Sequence, residues 1–201
     1  MKEYLVVYLS NNKYGKKYTW WRCKYKFTWS TFEQETSLEA AFRENNYSIV
    51  DCKVSYFNQE RIKNSKVKEV YNSNNKLVGY LVGKHELYKF FDLQHNNLWR
   101  NHISKQLFPD EAFFNFTNKT IYIIEKKWQQ VSGSVDEKLQ TCDFKKKEYM
   151  ALFSETDLTI AYYYVLNDFF EEAKYDDVRK YISDNGCKYF YYEIPFNELG
   201  L

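Results

Sequence analysis

LFPDEAFFNFTNKTIYIIEKKWQQ, residues 107–130, is the stretch on which the fold turns. Residues 112–116 (AFFNF) and 121–129 (IYIIEKKWQ) are aromatic and β-branched runs, and TNKT at 117–120 separates them. Two such runs around a short polar turn predict a β-hairpin. Beyond it, Ser132-Gly133-Ser134 interrupts the strand, and Ser134 followed by Glu137 matches a capping box. A helix is predicted from there to about Phe153, with Val135, Leu139, Cys142, Tyr149 and Phe153 on one face. IAYYYVL at 160–166 reads as a buried strand. Residues 175–183 read as a helix stopped by Asn185-Gly186. CKYFYYEI at 187–194 reads as a last strand, ended by Pro195. The order from Ala112 is β-β-α-β-α-β, which predicts an α/β fold with a central mixed β-sheet flanked by helices.

The chain before the hairpin is harder to parse. Apolar residues at 87, 90, 91, 98 and 99 predict helix over 85–103, and 77–82 reads as a strand. NSNNK at 72–76 is a turn, 53–68 is polar and basic, 37–45 is a helix capped by Ser37, and 4–9 is a short strand.

Chemistry gathers on the hairpin. Asp110 lies at the mouth of its first strand. Side chains alternate along a strand, so Glu125, Lys127 and Gln129 share one face, and Lys126 has the same charge as Lys127 but points the other way. Polar groups in sequence on so apolar a strand are costly to bury without a use. Asp110 and Glu125 come within reach of one cation. Two carboxylates, water and a phosphate oxygen form the oxygen shell that Mg²⁺ prefers. Lys127 is placed to hold the attacking water or the phosphate, and Gln129 is a further candidate for either task.

Pro109-Asp110 followed by Glu125-Lys126-Lys127, with 15 positions from Asp110 to Glu125, resembles the motif of the PD-(D/E)xK nuclease superfamily, in particular its type II restriction endonucleases. The resemblance covers roughly residues 83–195. It implies a restriction-endonuclease-like core at 83–201, with a helix before the hairpin and an α-β unit after it. Residues 1–82 become an N-terminal region for DNA recognition or dimerisation. It further implies a Mg²⁺-dependent endonuclease acting on double-stranded DNA, with Asp110, Glu125, Lys127 and Gln129 as catalytic residues and Asp110 and Glu125 as metal ligands. A Glu on the preceding helix often supports the metal in this superfamily. Glu86 fits that place and Glu39 is its rival. Cutting both strands of a palindrome implies a homodimer. The alternatives are a repair or junction-resolving nuclease of the same fold and a DNA-binding protein without catalysis.

The remaining features narrow the classes further. At 201 residues the chain fits one large domain, with or without a small subdomain, and 44% hydrophobic residues suffice for a packed core. A net charge of +2 is not the footprint of a strongly basic nucleic-acid binder, although one basic face is compatible with it. The 20 Tyr and 16 Phe fill cores and can stack on bases, yet with abundant Asn and Lys they also follow from AT-rich codon usage. Four cysteines without a CxxC argue against structural zinc and point to free thiols in a reducing cytoplasm. No run of roughly 18 apolar residues occurs to span a membrane. Ser132 and Ser134 at a helix start could meet a phosphate, and Lys145, Lys146 and Lys147 a DNA backbone. His85, His95 and His102 lack ligand spacing and read as structural or surface groups.

Overall fold

The computed structural model describes residues 28–131, 133 and 135–201, with backbone alone at Val135 and Asp136. The chain divides into compact units 1–35 and 36–201. In the first, helix α1 (Trp29–Glu35) opens at Thr28, whose hydroxyl accepts from the Thr31 amide. The strand expected at 4–9 and the capping box expected at Ser134 lie outside the described residues.

The second unit is a mixed seven-stranded sheet with its strands side by side in chain order. They are β1 (Ser48–Asp51), β2 (Lys68–Tyr71), β3 (Leu77–Val82), β4 (Glu111–Asn115), β5 (Thr120–Lys127), β6 (Thr159–Leu166) and β7 (Lys188–Tyr191). The first five run antiparallel to one another in succession, whereas β6 and β7 lie parallel to the strands before them. Antiparallel pairs close through turns, and parallel pairs need a crossover. Helix α2 (Leu38–Glu44) precedes β1, and α3 (Glu86–Phe90) lies between β3 and β4. Helices α4 (Val135–Leu139) and α5 (Cys142–Leu152) make one crossover and α6 (Asp176–Asp184) the other. The expected α/β mixed sheet is therefore present.

Local chemistry explains the elements. Ser37 caps α2 by accepting from the Ala40 amide. The β4–β5 turn is organised by Asn115, whose Oδ1 accepts from the Thr117 and Asn118 amides. Along β5, Ile121 and Ile123 enter one core with Phe91, Phe114, Leu139, Tyr149 and Phe153. The alternate residue Tyr122 meets Phe113 and Tyr163 on the opposite face, where Phe42 of α2 also packs on Phe113, ring to ring at 5.0 Å. Both faces of the sheet are thus covered, and polar groups on β5 have to find partners indoors.

Three elements are shorter than expected. The helix read over 85–103 ends at Phe90, followed by a 3₁₀ segment at His95–Asn101. Asp92, Asn96 and Asn97 all adopt positive φ, a conformation that Asp and Asn tolerate better than most residues. The helix read to Phe153 breaks between α4 and α5, where the Thr141 hydroxyl donates to the Lys138 carbonyl at 2.7 Å. β7 stops at Tyr191 because Tyr192 turns to φ 64°. The boundary expected at 82/83 falls inside the sheet, since β3 ends at Val82 and pairs with β4.

Candidate active site

The strands β5 and β6 are parallel, so their carboxyl ends emerge together, which is where α/β sheets commonly place ligands. At that end Glu125 and Lys127 share one face, as the alternation requires. Glu125 is buried and accepts from Lys127 Nζ at 2.7 Å through Oε2 and from Lys145 Nζ at 3.1 Å through Oε1. Asp110 Oδ2 accepts from the Lys126 amide at 2.8 Å and lies 3.7 Å from Lys127 Nζ. One ammonium therefore sits between the two carboxylates. It is also anchored to the Lys126 carbonyl at 3.0 Å and stands 6.0 Å from the centre of the Tyr164 ring.

The segment carrying Asp110 is held from α3. The Tyr88 hydroxyl accepts from the Leu107 amide and donates to the Leu107 carbonyl, and the Lys84 amide donates to the Pro109 carbonyl. A buried phenol thus fixes the approach to the hairpin, and the backbone of β5 then fixes the Asp110 carboxylate.

Lys126 points to the opposite face, and it is only 2% exposed. Its ammonium reaches Glu111 Oε2 at 2.9 Å, and the same oxygen accepts from the Leu38 amide at the start of α2. Burial pushes the Glu111 carboxyl up, against the pull of Lys126. Lys126 is accordingly part of a buried ion pair that ties α2 to the sheet and not an exposed counterpart of Lys127.

Gln129 lies two residues past Lys127, beyond the end of β5. It is buried, and its Nε2 donates to the Val131 carbonyl. Its main chain is clamped by Asn167, which donates to the Gln129 carbonyl at 2.8 Å and accepts from its amide at 3.1 Å. Its Oε1 is buried with no hydrogen-bond partner. Glu86, the expected supporting ligand, turns to Lys89 Nζ at 3.0 Å and to the Lys66 amide. Among the described residues no three His, Cys, Asp or Glu side chains converge to hold a metal, and Glu86 is engaged by Lys89. The reason is local: α3 starts directly after the turn at Gly83-Lys84 and its own Lys89 captures the carboxylate one turn on. The rival Glu39 forms an exposed pair with Arg43 on α2.

The basic run divides into three tasks. Lys145 reaches Glu125, Lys146 donates to the Asn185 and Gly186 carbonyls after α6, and Lys147 pairs with Asp143. Residue pattern alone offered all three alike to a DNA backbone. Their spacing on α5 could have separated them, because Lys145 lies four positions from the core residue Tyr149 and so faces inward. Tyr149 and Tyr162, both in the core beside Glu125, have phenols pushed far up, first by burial and then by the Glu125 charge. Asn167 carried no sequence signal, since its role is a long-range grip on the main chain.

A cation at this place would find two protein carboxylates and would need water and substrate for its other ligands. That suits Mg²⁺, which keeps several waters and is commonly held by one or two carboxylates. A separate cleft of about 470 Å³ is lined by residues including Arg61, Lys63, Lys89 and His95, and none of Asp110, Glu125 and Lys127 lines it. No family model, curated protein or solved structure matches this chain. Among the described residues no helix is long and apolar enough to cross a membrane.

Proposed function

We propose that this protein is a Mg²⁺-dependent endonuclease that hydrolyses phosphodiester bonds of double-stranded DNA, and that its use is restriction of foreign DNA in the cytoplasm. The observation that carries this reading is the Lys127 ammonium lying between Asp110 and Glu125, 3.7 Å and 2.7 Å from their oxygens. A lysine that spans two carboxylates on a hairpin marks a place built for positive charge. The order of α3, hairpin, α4–α5 and β6 also agrees with the core implied by the PD-(D/E)xK resemblance.

Bound Mg²⁺ supplies the charge that lowers the pKa of a water and offsets that of the phosphate. The protein does the rest through fixed groups. Asp110 and Glu125 would hold the ion, Asp110 being oriented by the Lys126 amide and Glu125 by burial. Lys127 and Lys145, now bonded to Glu125, would be within reach of the water and the phosphate. There Lys127 stabilises the pentavalent phosphate as its charge develops. Gln129 presents its amide to the same water or phosphate, and Asn167 keeps its main chain in place.

Lys127→Ala is expected to bind duplex DNA in Ca²⁺ within about tenfold of wild type, yet to cleave in Mg²⁺ at least about a hundredfold more slowly. A gel-shift titration beside a single-turnover assay measures both. Equal losses of binding and rate would make Lys127 a binding residue only.

Each chain carries one such site, and cutting both strands at a symmetric sequence takes two. Sedimentation of the protein with a cleavable duplex is expected to give two chains per DNA. A stable one-to-one complex that still makes double-strand breaks would refute the dimer.

A further inference from the structure

Helix α5 packs on β6 and carries Lys145 and Tyr149 on successive turns of its inner face. Lys145 is bound to Glu125 Oε1, and Lys127 takes Oε2. Tyr149 is 1% exposed, and its hydroxyl, although within the charge field of Glu125 and Asp110, has no hydrogen-bond partner. Tyr162 on β6 lies beside it, ring centres 6.5 Å apart, and has Tyr164 as its own neighbour at 5.4 Å. A buried hydroxyl without an acceptor is costly, and native proteins keep few of them. Phenylalanine would fill the same space in the core without that cost. The charge of Glu125 acts on the Tyr149 phenol, and both oxygens of that carboxylate are engaged by lysines.

We infer that the Tyr149 hydroxyl is a positioning donor reserved for Glu125. It engages the carboxylate when a divalent cation drives the ammonium of Lys145 off Oε1. The exchange needs no chemistry beyond hydrogen bonding: Lys145 leaves with its proton, and the phenol donates without losing its own. The carboxylate then keeps a donor at the moment when its counter-charge changes, which preserves its orientation. This inference rests on the reading of Glu125 as a metal ligand.

The test is a set of thermal melts of wild type, Tyr149→Phe and Glu125→Gln, each with and without saturating Mn²⁺. Without metal, Tyr149→Phe is expected to melt about 2–4 °C above wild type, because it loses an unpaired polar group. With Mn²⁺ that gain is expected to vanish, so that the metal raises the melting temperature less in Tyr149→Phe than in wild type. A structural tyrosine would lower the melting temperature equally in both states, and that result would overturn the inference. An equal Mn²⁺ shift in wild type and Tyr149→Phe would overturn it too. If Mn²⁺ shifts wild type and Glu125→Gln alike, the metal site itself fails, an outcome distinct from failure of Tyr149.

Discussion

Glu125→Gln and Asp110→Asn are each expected to slow DNA cleavage in Mg²⁺ by at least about 10³, the upper range for loss of one preorganised charged group. Both changes keep size and shape. Asp110→Asn retains a side-chain oxygen able to accept from the Lys126 amide. Glu125→Gln keeps an acceptor for Lys127 or Lys145, which today share its two oxygens. The fold is therefore expected to survive, which circular dichroism and the melting curve will check. Truncation to Ala is a poorer probe at Glu125, because it removes the carboxylate that two ammonium groups share beside a core of Tyr149, Tyr162 and Tyr164. Cleavage by either isosteric variant at near wild-type rate would remove that residue from the metal site.

Lys126→Ala is expected to cost about 3–5 kcal/mol of stability, the usual penalty for breaking a buried ion pair. For a chain of this length that lowers the melting temperature by on the order of 10 °C. From the sequence, Lys126 looked like a harmless control for Lys127, equal in charge and opposite in direction. The opposite face is buried, however, and Lys126→Ala leaves Glu111 without its ammonium while the same carboxylate still holds the Leu38 amide. Replacing the pair together, as Lys126→Met with Glu111→Leu, removes the stranded charge and is expected to recover most of the loss. Denaturant melts of the single and double variants measure this. A Lys126→Ala protein as stable as wild type would show that the pair contributes nothing to the fold.

This case marks where the sequence could be read and where it could not. The hairpin, its turn, and the division of Glu125 and Lys127 from Lys126 follow from a period of two, which needs no knowledge of neighbours. The strands at 77–82 and 160–166 were legible from their apolar runs and their punctuation. What lies above each face was not legible. Nothing in EKK says that Lys126 shares Glu111 with the start of α2, that Lys145 reaches Glu125 from α5 at 20 positions' distance, or that Asn167 clamps Gln129 from just past β6. Those are tertiary contacts. Helix lengths were overread where Asp92, Asn96 and Asn97 bend the chain, because apolar spacing continued past the residues that end the helix. Glu86 was placed near the carboxylates by helix order alone, and the local competition from Lys89 decides its direction.

The most direct measurement is incubation of the wild-type protein with plasmid DNA and Mg²⁺, beside Glu125→Gln, followed by sequencing of any ends. Wild type is expected to give discrete fragments whose ends share one sequence, and Glu125→Gln to leave the plasmid intact. An intact plasmid in both reactions, across DNAs of varied sequence and with Mn²⁺ as well as Mg²⁺, would contradict the assignment of Asp110, Glu125 and Lys127 as a nuclease centre.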